Sequence, residues 1–252
     1  MATTAAQVTL NSGWSVHTPH LVSSKSEVDS WRANTHLGKL SIPAWRELES
    51  MMSVAEHDRG DILFLEQEPL GRVFVVLSGD VRLSLQDVGG RRLTFRIAKR
   101  GAVLGAHSAL FGSLSEWSAD IFYPSRIGFI MRDDFIHFAK RHPEAYSLAT
   151  TELITALRCG FATLRILAMP CCVRKRLASQ LLVWGEQGRK TGDQAQFCLA
   201  FTHDQIAEFI GTVRESVTRA LGALKQSGLV EMRGSMLIIP STTALRRFAE
   251  YN

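Results

Sequence analysis

Residues 202–228 read THDQIAEFIGTVRESVTRALGALKQSG, and the fold is decided in this stretch. Thr202-His203-Asp204-Gln205 has the Ser/Thr-x-x-Glu/Gln form of a capping box, and Ile206, Phe209 and Ile210 follow at helical spacing. A short helix is therefore predicted from this point. Gly211 supplies a turn. Thr212-Val213-Arg214-Glu215 repeats the capping pattern and opens a second helix running to about Gln226, closed by Ser227-Gly228. Two capped helices joined by a tight glycine turn are the pattern of a helix-turn-helix. Leu229–Val230, Arg233-Gly234-Ser235 and Met236–Ile239 then read as a β-hairpin, which makes the unit a winged helix.

In the second helix Val213, Val217, Ala220, Leu221 and Leu224 form one stripe predicted to be buried, leaving Arg214, Glu215, Thr218, Arg219 and Lys225 on the opposite face. An arginine fork bonds the O6 and N7 acceptors of guanine, and a glutamate accepts from cytosine N4. Residues in the first two turns of such a helix reach base edges. Arg214, Glu215, Thr218 and Arg219 are thus predicted to read bases, and Thr202, Thr212, Ser216, Lys175, Arg176 and Arg233 to hold phosphates. Glu215 has two other readings: completing the box with Thr212, or pairing with Arg219 at i, i+4. Net charge supports a polyanion partner for this part of the chain. Residues 171–252 carry 11 Lys and Arg against 7 Asp and Glu, most of the total excess of +5.

Upstream, residues 60–131 hold short β-rich runs punctuated by Gly60, Gly79, Gly89-Gly90 and Gly101, the spacing of a sandwich or roll. Runs are expected at Ile62–Leu65, Val73–Leu77, Val81–Leu85, Leu93–Ile97, Val103–Leu104, Ala119–Phe122 and Ile127–Met131. Two short helices are expected between Ser30 and Ala55. From Tyr146 a 4-3 spacing picks out Leu153, Leu157, Gly160, Leu164 and Leu167, a coiled-coil-like seam suited to a dimer contact. The alternative is a helix packed on its own domain. Cys171–Gln187 follows as an amphipathic helix whose basic first turn, Arg174-Lys175-Arg176, opposes the helix dipole. A phosphate nearby or a solvated face accounts for it. The expected organisation is α+β: a loose tail over 1–29, a sensor β-roll over 30–132, a dimerisation helix over 133–169 and a winged helix-turn-helix over 170–252.

Composition, with 46% hydrophobic and 21% charged residues, is that of a globular chain. Ala195–Phe201, the longest nearly uncharged apolar stretch, falls far short of the roughly 18–20 residues that span a bilayer, so a cytoplasmic protein without a membrane partner is expected. Cysteines at 159, 171, 172 and 198 have neither CxxC nor cluster spacing, which predicts thiols rather than disulfides, a metal site or an iron–sulfur centre. Neither a nucleophile triad nor a Walker loop stands at usable spacing, so no enzyme is expected.

Gly211-Thr-Val-Arg214-Glu215-Ser-Val217-Thr-Arg219 resembles the G-x-x-R-E-x-V-x-R recognition motif of the CRP/FNR bacterial transcription regulators. Val75–Val81 and Gly101–Gly105 are similar to the glycine landmarks of that family's roll. The resemblance covers about residues 35–245. It implies a cyclic-nucleotide-type β-roll, jelly-roll-like and double-stranded, then a dimerisation helix and a winged helix. It also implies a homodimer on double-stranded DNA at TGTGA-like half-sites, with RNA polymerase as a further partner. The segment Gly188–Gln196 resembles in position the surface that activators of the family present to the polymerase.

The cassette departs from the cyclic-AMP-responsive pattern. In such members a glutamate binds the ribose and an arginine the cyclic phosphate; here Gly105-Ala106-His107-Ser108-Ala109-Leu110-Phe111 lacks the carboxylate, and Trp117, followed by Ser118, stands where the arginine belongs. Phe161 falls near positions where those members place hydroxyls on the dimer helix. A buried phosphate without a cation would be left with an unoffset desolvation cost. No cyclic AMP and no cofactor is therefore expected. Gly105, Ala106, His107, Ser108, Trp117, Ser118 and Phe161 remain a candidate effector pocket, either empty or tuned to a more apolar small molecule. A different class of reading is a small-molecule-binding module or regulatory subunit whose C-terminal helices make protein contacts; salt-sensitive DNA binding discriminates the two.

Overall fold

Two strands of unusual length organise the N-terminal unit of the computed structural model, which describes residues 35–168 and 172–250. The tail expected over 1–29 and Cys171 lie outside the described residues. Strand β3, Arg72–Gln86, and strand β6, Ser118–Met131, form the middle of an antiparallel sheet ordered β1-β6-β3-β4, with β1 at Ser53–His57 and β4 at Arg92–Lys99. The short strands β2, Ile62–Phe64, and β5, Val103–Leu104, pair with β6 and β3 respectively. Sequence spacing divides β3 at Gly79 and β6 near Pro124; in the structure neither strand breaks there. Gly79 takes φ +82°, and a Cβ on it would collide with Ser125, so glycine marks a close approach of two strands rather than a turn.

Helix α1, Ile42–Met51, starts at Ser41, whose hydroxyl accepts from the Ala44 N–H, and carries Pro43 in its first turn, where no donor is lost. Helices α2, Ala106–Phe111, and α3, Arg132–Arg141, complete the layer on the sheet. Trp45, Leu48, Val73, Val75, Val103, Phe135, Phe138 and Leu148 form one buried core. The segment 133–169 is not one helix. It divides at Pro143 into α3, which buries Phe135 and Phe138, and the 24-residue α4, Ala145–Ala168. The described residues form two units, one ending at Arg82 and resuming over Ile97–Ile154, the other comprising Leu83–Arg96 and the chain from Thr155.

In the C-terminal unit α5, Val173–Gly185, packs with α6, His203–Ile210, α7, Arg214–Gln226, and α8, Thr242–Glu250. A sheet ordered β7-β8-β10-β9 joins the predicted wing, β9 at Glu231–Arg233 and β10 at Met236–Ile239, to a hairpin of β7, Arg189–Thr191, and β8, Gln194–Cys198. Leu177, Leu181, Ile206, Ile210, Val217, Leu221, Leu224, Leu237, Ile239 and Leu245 are buried there. Trp184, Phe201 and Phe209 stack with centroids 4.8–5.3 Å apart. Asp193, in the β7–β8 turn, accepts from the hydroxyls of Ser241, Thr242 and Thr243 and from the Thr243 N–H, which hold its carboxyl below the usual range and fasten the turn to α8.

Candidate nucleic-acid interface

The capping box at Thr202 is present in full: Gln205 N–H donates to Thr202 Oγ1 at 3.3 Å, and Thr202 N–H donates to Gln205 Oε1 at 2.8 Å. Helix α6 ends at Gly211 with φ +60°, where the Thr212 N–H donates to the Ala207 carbonyl. A Cβ on Gly211 would lie 2.7 Å from Leu167 Cδ2, so the turn needs glycine for its backbone and for its space. Leu167, assigned to the dimer seam from its spacing, packs against this turn and is only half-exposed. Arg176, a phosphate candidate, also meets this turn. Its Nη1 donates to the carbonyls of Ile210 and Gly211 at 3.1 and 3.3 Å, bracing the turn.

The second capping box does not form. Helix α7 starts at Arg214 with Val213 as its N-cap, one residue too late for Thr212 and Glu215 to reciprocate, and Val213 is 56% exposed rather than buried. Val217, Ala220, Leu221 and Leu224 do line the buried face. The outer face carries Arg214, Glu215, Thr218 and Arg219, all exposed. Arg214 Nη1 stands 3.6 Å from Asp204 Oδ2, a surface pair worth at most about 1 kcal/mol. Arg219 Nη2 makes a long contact of 3.4 Å to Ser216 Oγ. Glu215 neither caps the helix nor pairs with Arg219. Thr218 differs from the expectation: its hydroxyl donates to the Arg214 carbonyl at 3.1 Å and accepts from His203 Nδ1 at 2.7 Å, joining α6 to α7. Of the remaining phosphate candidates, Thr202 and Arg233 are exposed, Thr212, Ser216 and Lys175 half-buried, and Arg233 lies 3.3 Å from Glu231.

On α4, Ile154, Leu157, Phe161 and Leu164 are each about half exposed or more, at spacings of three and four. Leu157 and Leu164 belong to the predicted seam, while Leu153 and Gly160 lie half-buried at its edge. Phe161, placed in the candidate effector pocket by resemblance, is 57% exposed in this stripe.

The cassette holds Ala106, His107, Ser108 and Trp117 buried, with Gly105 at φ +81°. Ser118 accepts from the Glu66 N–H at 3.0 Å. The Trp117 ring lies 5.0 Å from that of His107. His107 Nε2 is 2.7 Å from Glu116 Oε2, and its Nδ1 is 3.1 Å from Glu152 Oε2. Burial alone pulls the imidazolium pKa down, but hydrogen bonds and charge from Glu152 and then Glu116 outweigh it and push it up to about 9. Sequence reasoning missed Glu152. Its signal was a carboxylate in step with Ala145, Leu148, Ala149 and Ala156, an apolar stripe that needs a charged member to be partnered.

An antiparallel β-roll, a long helix and a winged helix-turn-helix define a DNA-binding regulator with an attached sensor-type domain. Residues 55–142 match the family model of the cyclic nucleotide-binding domain, and residues 175–248 match that of the Crp-like helix-turn-helix domain. The global nitrogen regulator of Synechococcus elongatus is 26% identical over 207 residues, which cover 80% of this chain and 93% of that protein. The CRP-like cAMP-activated global transcriptional regulator of Mycobacterium tuberculosis is 26% identical over 206 residues, 80% and 90% of the two chains. The solved structure of FixK2 from Bradyrhizobium japonicum has a TM-score of 0.64 at 19% identity, covering 80% of this chain and 98% of that one, a likeness of fold. The chain belongs to the CRP/FNR family of transcription regulators.

Among the described residues, no helix is long and apolar enough to cross a membrane.

Proposed function

We propose that this regulator works in the cytoplasm as a homodimer that reads an inverted repeat in double-stranded DNA through α7, without catalysis. The observation that carries the reading is the outer face of α7, where Arg214, Glu215 and Arg219 are exposed and none is held by more than a weak surface contact. The blander uses of Glu215, a capping box or an i, i+4 pair with Arg219, are not made. The two arginines suit guanines and Glu215 a cytosine N4, as in a TGTGA-type half-site. A second copy covering Ile154, Leu157, Phe161 and Leu164 would remove an apolar stripe from water and set two α7 helices for grooves about 34 Å apart.

Lys175 and Arg233, with the hydroxyls of Thr202, Thr212 and Ser216, serve the phosphates. RNA polymerase is a further partner, met by the β7–β8 hairpin, whose turn Asp193 holds in one position. The effector, if one is used, is not cyclic AMP: Ala106 and Trp117 offer neither the carboxylate nor the cation that the cyclic nucleotide needs. Fluorescence anisotropy on a labelled duplex with TGTGA half-sites tests the reading. Affinity should fall steeply as salt rises, and a scrambled duplex of equal length should bind at least about 1,000-fold more weakly. Equal affinity for both duplexes would reject it.

A further inference from the structure

Glu152 is 1% exposed and ionisable, so its charge requires donors on every side. They converge on it from the cassette. Oε1 accepts from the Gly105 N–H at 2.5 Å, Oε2 accepts from the His107 N–H at 3.2 Å, and His107 Nδ1 stands 3.1 Å from the same Oε2. Gly105, in the left-handed region at φ +81°, is what aims the first of these N–H groups inward; a Cβ there would also meet Leu70 Cδ1 at 2.8 Å. The far nitrogen of His107 is held by Glu116 Oε2 at 2.7 Å and by Ser108 Oγ at 3.1 Å, with Trp117 across the ring. With a carboxylate beside each nitrogen the ring is an imidazolium whose Nε2 bonds Glu116 and whose Nδ1 faces Glu152 as an ion pair. Two backbone N–H groups and a cation thus enclose one anionic group, and in this molecule the chain itself supplies that group from a position 45 residues downstream.

We infer that Glu152 is the resident occupant of the cassette: its carboxylate stands in for a diffusible anionic effector and clips helix α4 to the β-roll with none bound. The inference deepens the reading of the cassette as a site that does not answer to cyclic nucleotides. A free phosphate entering the cradle would have to displace Glu152 and leave that carboxylate buried without the donors that now hold it. A clip of this kind fastens the first turns of α4, up to Ile154, to the roll in the effector-free protein.

The test uses the full-length protein. Replacement of Glu152 by glycine removes the occupant, and sodium formate, the smallest carboxylate, is the probe. The E152G variant should melt several degrees lower than the wild type. Formate should restore part of that loss saturably, while sodium chloride at equal ionic strength should not, and the wild type should not respond to either. The isosteric Glu152→Gln variant covers the case in which the glycine variant does not fold. In it the His107 imidazole, followed by long-range proton–nitrogen NMR, should titrate at least one pH unit lower than in the wild type. The inference is overturned if the glutamine variant leaves that titration unchanged, or if the Gly105 and His107 amides of the wild type shift saturably with inorganic phosphate or cyclic AMP. Sequence-specific DNA binding by the same wild-type sample is a separate readout. Its absence would count against the proposed function alone, because the clip is read at Gly105 and His107.

Discussion

Arg176 Nη1 donates to the carbonyl of Gly211 at 3.3 Å, and so a side chain of α5 fastens the turn between the two helices of the DNA-reading unit. A guanidinium bonded to two carbonyls at a half-buried site contributes through charge-assisted hydrogen bonds. Arg176→Ala should destabilise the protein by about 1–2 kcal/mol in urea unfolding. It should weaken binding to every DNA sequence alike, because the position of α7 changes and not its chemistry. An altered base preference with unchanged stability would show that Arg176 acts on the DNA instead.

The glycine at the same turn is under two constraints at once, a left-handed backbone and a neighbour 2.7 Å from where a Cβ would stand. Gly211→Ala should cost at least roughly 1–2 kcal/mol, more than an exposed glycine in an open turn. Gly234, also at φ +60° but with nothing within 4 Å, provides the control. Equal losses at the two sites would mean that contact with Leu167 carries no energy.

Titration of His107 couples stability to pH in a stated direction. Its pKa is raised from 6.5 to about 9 on folding, so the contribution is fully present below about pH 6.5 and is lost as pH rises through about 9. For a side chain this buried the contribution is on the order of 3 kcal/mol. Urea unfolding of the wild type at pH 7 and pH 10 should show that loss, and His107→Gln should flatten it. A wild type whose stability is unchanged across that interval would contradict the assignment.

Assembly rests on the stripe Ile154, Leu157, Phe161 and Leu164. Leu157→Glu should place like charges near a two-fold axis at a cost of several kcal/mol. Dimer dissociation should strengthen by roughly 100-fold or more, which light scattering over a dilution series would register. A mutant that stays dimeric at the same concentrations would locate the interface elsewhere.

The helix-turn-helix was legible because its signals are local: the Thr202–Gln205 box, Gly211 and the stripe from Val217 to Leu224 each lie within a few residues. Thr212–Glu215 misled for the same reason. Capping depends on which residue the preceding turn leaves at the N-cap, and Gly211 with Thr212 places Val213 there. Gly79 read as a strand end because a glycine in a close strand crossing and one in a turn look alike in sequence; only Ser125, 46 positions away, distinguishes them. Glu152 was hidden by distance as well, since its donors belong to a cassette some 45 residues earlier. The hairpin of β7 and β8 escaped for want of a strong periodic signal, and α8 because its period, set by Leu245 and Ala249, spans only nine residues; Asp193 and Ser241 join them in the structure.

The most direct measurement of the central claim is selection from a random-sequence DNA pool with the wild type, Arg219→Ala and Arg233→Ala in parallel. The wild type should select an inverted repeat whose half-sites lie roughly one helical turn apart. Arg219→Ala should lose about 1–3 kcal/mol per half-site and relax the preference at one guanine, while Arg233→Ala should keep the selected bases and lower the salt slope by about one per half-site. A pool with no inverted repeat, or an Arg219→Ala variant that loses affinity while selecting the same bases as the wild type, would contradict direct readout by α7.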